Sequence, residues 1–124
     1  MEFTLDPSRE TYIKITISGL ITKSRLIPVM AEILQHPQYP DKHMYWDLTQ
    51  ASMGLSIGDL KEIIGVLRLY KPGKKNFADR SSILVSGKMN KAMGELFVTM
   101  TKVLPVKYRI FTAPDEAENY LISV

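Results

Sequence analysis

Residues 43–70, HMYWDLTQASMGLSIGDLKEIIGVLRLY, decide how this chain is read. A short apolar run, Met44, Tyr45 and Trp46, ends at Asp47. Small residues follow over 49–56, among them Thr49, Ser52, Gly54 and Ser56, and then Ile57, Leu60, Ile63, Ile64 and Leu67 recur at helical spacing. A core strand that stops at a carboxylate, a Ser/Gly loop and a helix capped by Ser56 form the unit with which open α/β sheets present a site at the carboxyl ends of their strands. Lys71, Pro72 and Gly73 stop the helix.

The same alternation extends in both directions. Toward the amino terminus, Phe3 and Leu5 alternate with polar residues and Asp6, Pro7 and Ser8 supply a turn. Ile13, Ile15 and Ile17 then share one face of a second strand, which Gly19 is expected to end. Thr22 or Ser24 caps a first helix. Its apolar stripe is Leu26, Ile27, Met30, Ile33 and Leu34, with Pro28 near the first turn, where a missing N–H costs least. His36, Pro37, Gln38, Tyr39 and Pro40 stop it.

Toward the carboxyl terminus, residues 82–85 read as a strand halted by Ser86 and Gly87. A third helix spans 89–104, with a stripe of Met89, Ala92, Met93, Leu96, Phe97, Met100, Val103 and Leu104 closed by Pro105. Val106, Tyr108, Ile110 and Phe111 give the last strand. A terminal helix opens on Pro114, Asp115 and Glu116, acids that the helix dipole favours there, and docks through Ala117, Tyr120 and Leu121. The order β-β-α-β-α-β-α-β-α predicts the α/β class: a mostly parallel five-stranded sheet with four helices in one domain, 1–124.

Composition narrows the function. The 124 residues are 45% apolar and 23% charged, ordinary values for a chain that buries a core. The absence of cysteine excludes disulfides, a thiolate nucleophile and Cys-ligated metal, and it fits a reducing cytoplasm. No apolar run approaches the roughly 20 residues of a membrane-crossing helix, and the first ten residues do not read as a signal peptide. The chain is therefore expected not to be transmembrane. The net charge of +3 is too small to indicate specific nucleic-acid binding. Basic residues nevertheless gather at Lys71, Lys74, Lys75 and Arg80, a loop that keeps the surface solvated or attracts an anionic group.

The chemistry is sparse. Asp47 has no second acid or histidine partner in sequence, and a short polar side chain at a strand end commonly satisfies local backbone donors. His36 and His43 have no metal-ligand spacing. Ser52 and Ser56 match no nucleophile elbow, and no phosphate-cradling glycine motif is present. We therefore expect no metal, no cofactor and no catalysis. The 49–56 loop, through Asp47, Thr49, Ser52, Gly54 and Ser56, is the candidate surface for a partner or an anion. Seven methionines, with Met89, Met93 and Met100 on one predicted helix face, serve as flexible core filler or as an adaptable apolar surface. Val66, Leu69 and Tyr70 lie beyond the main stripe of the second helix and suggest a homodimer.

Three stretches carry a family likeness. Residues 17–22, ISGLIT, resemble the strand that enters the first helix in anti-sigma-factor antagonists, the STAS and SpoIIAA-like proteins. Residues 45–49, YWDLT, resemble their central strand ending in Asp-Leu-Ser/Thr, and residues 109–117, RIFTAPDEA, resemble their closing strand and helix. The resemblance spans nearly the whole chain and is nearest to uncharacterised bacterial SpoIIAA-like proteins, which share architecture with lipid-carrying Sec14 domains. It implies a non-catalytic protein-interaction or regulatory module. The alternative it implies is a small lipid or amphipathic-ligand binder. Phosphoregulated members carry Asp-Ser-x-Gly at the second helix. Here Ser52 and Gly54 match but Ala51 replaces the acid, which argues against Ser52 as a kinase substrate.

Overall fold

The computed structural model describes residues 1–38, 42–69, 80–104 and 106–122. Its elements are strands β1 (Glu2–Asp6), β2 (Tyr12–Ile21), β3 (His43–Met53), β4 (Arg80–Leu84) and β5 (Lys107–Phe111), and helices α1 (Lys23–Leu34), α2 (Ile57–Leu67), α3 (Lys88–Met100) and α4 (Pro114–Ile122). A 3₁₀ turn, Thr101–Val103, extends α3. The order is the one expected.

The strands lie side by side in sequence order, β1-β2-β3-β4-β5. β1 runs antiparallel to β2, and the other three pairings are parallel. A sheet wound steadily in one direction by right-handed crossovers places its crossover helices on one face. α1, α2 and α3 accordingly share a face with Ile13, Ile15, Ile17, Met44, Leu48 and Ile83. α4 covers the other face, over Tyr12, Tyr45, Leu84 and Phe111. There Ser82 Oγ donates to the carbonyl of Ala117 at 2.7 Å, and Arg80 Nη1 donates to the carbonyl of Tyr120 at 3.0 Å.

Several local expectations are corrected. Gly19 does not end β2: with φ of 85° it takes a conformation open to glycine, and pairing continues to Ile21. Likewise β3 does not stop at Asp47 but runs on to Met53. The backbone of 50–53 pairs with 18–21, so Thr49 and Ser52 stand in a strand rather than a loop. The register slips between Asp47 and Gln50, where three steps on β3 match two on β2. Met44 and Trp46 meet the helical face before the slip, Leu48 within it, and Ala51 and Met53 after it.

α1 starts at Lys23 with Thr22 as cap residue, which makes no side-chain capping bond. Pro28 therefore lies in the second turn rather than the first. Val29 is buried with Met30 and Ile33, whereas Leu26 and Ile27 are only half-buried. Ile57, assigned to the inner stripe of α2, is exposed. β4 begins at Arg80, two residues earlier than expected.

α3 is rotated from its predicted phase. Met89 is 85% exposed and Val103 is 62% exposed, and Ala92 also faces out. Met89 is exposed and Met93 and Met100 are only half-buried, outside the core cluster, so the three do not form an inner face. The line that meets the sheet is Asn90, Gly94, Phe97 and Thr101. Gly94 is buried so closely against Ile110 that an added Cβ would lie 2.6 Å from its Cδ1. Tyr39, Pro40, Tyr70, Pro72, Gly73, Pro105 and the loop lysines Lys71, Lys74 and Lys75 lie outside the described residues.

Candidate functional site

The candidate residues gather at the carboxyl-terminal end of the parallel strands. Asp47 sits where the β3 register slips, and its Oδ1 accepts from the Thr49 amide at 3.1 Å and the Thr49 hydroxyl at 2.7 Å. An irregular strand leaves backbone donors out of the ladder, and a carboxylate two residues back satisfies one of them. Asp47 is thus a brace for the slip. Its charge also touches chemistry nearby: burial first, and the Asp47 charge second, push the Tyr45 hydroxyl up to about 12. Burial also raises Tyr12, with the Glu118 charge adding to it.

Beyond the slip, β2 and β3 continue past the end of β4 as a two-stranded ledge. Asn90 ties this ledge to the start of α3. Its Nδ2 donates to the carbonyls of Ala51 at 3.1 Å and Ser86 at 2.9 Å, while its Oδ1 accepts from the Met53 amide at 3.2 Å. Ser86 Oγ donates to the Thr49 carbonyl at 3.0 Å. One amide side chain therefore pins three segments. Sequence reasoning missed Asn90, because a single polar residue in a helix's first turn leaves no mark on an apolar periodicity.

Ser52 lies exposed on this ledge, opposite Leu20. Gly54 passes close to Leu20 and Ile21: its amide donates to the Ile21 carbonyl at 2.9 Å, and an added Cβ would meet Leu20 Cδ1 at 2.8 Å. Only glycine lets the chain turn there without moving Leu20. Ser56 caps α2 in a reciprocal box, its Oγ accepting from the Asp59 amide at 3.1 Å and its own amide donating to Asp59 Oδ2 at 2.9 Å. A carboxylate already occupies this helix end, so the amide dipoles there face a negative charge of the protein's own.

Large apolar side chains stand exposed at the same end of the sheet. Leu20 and Ile57 are each 56% exposed, and Met89 lies in the first turn of α3. The basic-loop expectation reduces to Arg80 among the described residues. Its guanidinium stacks over the Tyr120 ring at 5.4 Å besides bonding the Tyr120 carbonyl, which holds it against α4. His36 Nδ1 accepts from the Gln38 amide and His43 Nδ1 from the Arg80 amide. Among the described residues, no three His, Asp or Glu side chains cluster so as to hold a metal ion.

A second feature lies on the three-helix face. An apolar cavity of about 80 Å³ is lined from the sheet by Ile17, Trp46, Leu48 and Ile83, and from the helices by residues including Met30 and Phe97. Phe97 closes one side by packing edge-on against Tyr108 at 5.4 Å.

No family model matches the chain, and no curated protein matches it. Solved structures do. An uncharacterised protein of the DUF3478 family with a SpoIIAA-like fold, from Shewanella loihica PV-4, matches with a TM-score of 0.59 at 15% identity, over 97% of this chain and 92% of that one. An anti-sigma factor antagonist from Mycobacterium paratuberculosis matches with a TM-score of 0.58, also at 15% identity and over the same shares. The chain has the SpoIIAA-like, or STAS-like, fold. At this identity the likeness is one of fold. No helix among the described residues is long and apolar enough to cross a membrane.

Proposed function

We propose that this protein is a non-catalytic interaction module that docks a protein partner on the carboxyl-terminal end of its sheet. The observation that carries this reading is the placement of Leu20, Ile57 and Met89, all solvent-exposed, at the end where the β2–β3 ledge presents Ser52 and Gly54. Exposed large apolar residues gathered at one end of a molecule mark an interaction site more often than scattered ones do. The fold shared with an anti-sigma factor antagonist supports a regulatory role. Absence of cysteine supports action in a reducing cytoplasm, and the Shewanella and Mycobacterium proteins named above are bacterial.

The test is affinity capture from cells of the source organism. Leu20→Lys and Met89→Lys should each lose the captured partner, while Leu69→Lys, at the far end of α2, should keep it. Equal capture by all three removes the docking reading. Leu69 is 80% exposed and remains the basis for self-association through the flank of α2. Light scattering on the eluting protein should then give twice the 14.1 kDa chain mass, and Leu69→Lys should halve it.

A second reading, of a different class, is favoured by the apolar cavity beside α3: binding of a small lipid or amphipathic molecule between the sheet and the three helices. A saturable shift of the methionine methyl signals of Met30 and Met53 on adding such a molecule supports it. No shift removes it.

A further inference from the structure

Facing flanks of α2 and α3 frame a seam that neither core uses. Right-handed winding sets α2 between α1 and α3, with all three helices running antiparallel to the strands they connect. Lys23 of α1 pairs with Glu62 at 2.6 Å, which turns that flank of α2 toward α1. Ile57, Lys61, Ile64 and Arg68 recur at three- and four-residue steps along the other flank, beside α3. Met89, Met93, Leu96 and Met100 repeat the same spacing on α3. Theirs is the flank that α2 shields: Met93, Leu96 and Met100 are half-buried, whereas Lys91 and Glu95 on the opposite flank are exposed. These four residues and Ile64 belong to neither core cluster. The seam is open above, since nothing lies within 4 Å of where a Cβ on Gly65 would stand.

Shape and charge together select an occupant. Helices packed side by side, with axes roughly 8–10 Å apart, leave a groove that a third helix fills with side chains at the same spacing. Methionine is flexible enough to fit itself to such a partner. A flat lipid surface reaches exposed Ile57 and Met89 at the end of the groove but not half-buried Met93 and Met100. Each acid of α2 and α3 is already engaged: Asp59 in the capping box, Glu62 with Lys23, and Glu95 at 4.0 Å from Lys91. Lys61 and Arg68 are exposed and make no ion pair among the described residues. The α2 rim is therefore cationic and uncompensated. A second copy docked symmetrically would set these cations against their own kind.

We infer, building on the protein-docking reading above, that the α2–α3 groove takes an amphipathic helix of the partner. Its apolar stripe packs on the methionines, and its flank carries Glu or Asp opposite Lys61 and Arg68.

Two synthetic helical peptides of about 18 residues, long enough to hold a helix, test this on the full chain. Both carry Leu at helical spacing; the polar face is Glu in one and Lys in the other. NMR of ¹³C-methyl methionine reads the groove directly. The Glu peptide should shift the Met93 and Met100 methyls saturably and leave Met44, buried in the sheet core, unmoved. The Lys peptide should bind at least about tenfold more weakly, and Lys61→Glu with Arg68→Glu should weaken the Glu peptide by about tenfold at low salt. Both substituted side chains are exposed, so the fold is retained. Equal binding of the two peptides overturns the acidic partner. Shifts confined to Met89, or none with the Glu peptide, overturn the groove. Met93 and Met100 signals that move with protein concentration alone make a second copy the occupant, and the same movement with anionic vesicles makes it a membrane; either overturns the inference. The docking reading is judged separately by capture with Leu20→Lys, on the ledge outside the groove, and a loss there keeps it standing whatever the peptides do.

Discussion

The two faces of the sheet are built on different terms. On the α4 face, side chains lock the helix to the strands: Ser82 and Arg80 bond its carbonyls, and Arg80 and Arg109 both stack on Tyr120, at 5.4 and 5.7 Å. On the three-helix face the contacts are almost wholly apolar, and the helices leave a cavity with an unsatisfied indole beside it. Directional bonds specify one position for α4. Apart from Asn90, which bonds the start of α3 to the β3 backbone, non-directional burial holds α1–α3 in place and tolerates space between them. The face with space is the one on which a ligand can be accommodated.

Truncation deep in either core tests the contrast most strongly. Ile15 is 0% exposed beneath the three helices and Leu121 is 2% exposed beneath α4, so Ile15→Ala and Leu121→Ala should each cost about 3–4 kcal/mol in urea unfolding. A much smaller loss for Ile15 would extend the loose packing to the centre of the sheet. Phe97→Ala should cost less, about 2 kcal/mol. Phe97 is half-buried and already borders empty space, so its removal strips fewer contacts than a filled core site would lose. A loss equal to that of Ile15 would show the three-helix face to be packed as tightly as the other.

The α4 face should be the pH-sensitive one. Tyr45 belongs to its core cluster and is held neutral, with its hydroxyl pushed from the usual 10 up to about 12. A raised folded-state value contributes stability that is complete below pH 10 and is lost as pH climbs toward 12. Unfolding midpoints should fall across that window, and Tyr45→Phe should flatten the fall. A still smaller effect separates two glycines. Gly65 on α2 has open space where a Cβ would go, so Gly65→Ala should stabilise by up to about 1 kcal/mol through helix propensity. Gly94→Ala should fail to gain it, because Ile110 must move to make room.

The order of elements and the buried isoleucines of β2 were legible because periods of two and 3.6 residues record which side of an element is apolar. The pattern broke down where backbone pairing overrode it. The small polar residues from Thr49 to Ser52 look like a loop, yet the open edge of β2 at 18–21 supplied partners for their backbone groups. The register slip braced by Asp47 also inverts the alternation, so no single period runs through β3. In α3 the apolar stripe is broad, and periodicity alone does not choose its inner edge. The true edge is drawn by three residues that carry little hydrophobic signal: Asn90, which bonds β3, Gly94, which lies close against Ile110, and Thr101, which is buried with its hydroxyl donating to the Val98 carbonyl of its own helix. Ser56 was identified as the α2 cap because capping depends on local chemistry that sequence displays directly. The exposed trio Leu20, Ile57 and Met89 was not singled out as a surface, since an apolar residue's exposure depends on what the fold leaves uncovered.

Docking at the carboxyl-terminal end of the sheet is tested most directly by hydrogen–deuterium exchange on the protein alone and with its captured partner. The account expects new protection at residues 18–21, 50–57 and 88–90, with α4 unchanged. Protection confined to α4 and β5, with the ledge exchanging as it does in the free protein, would contradict it.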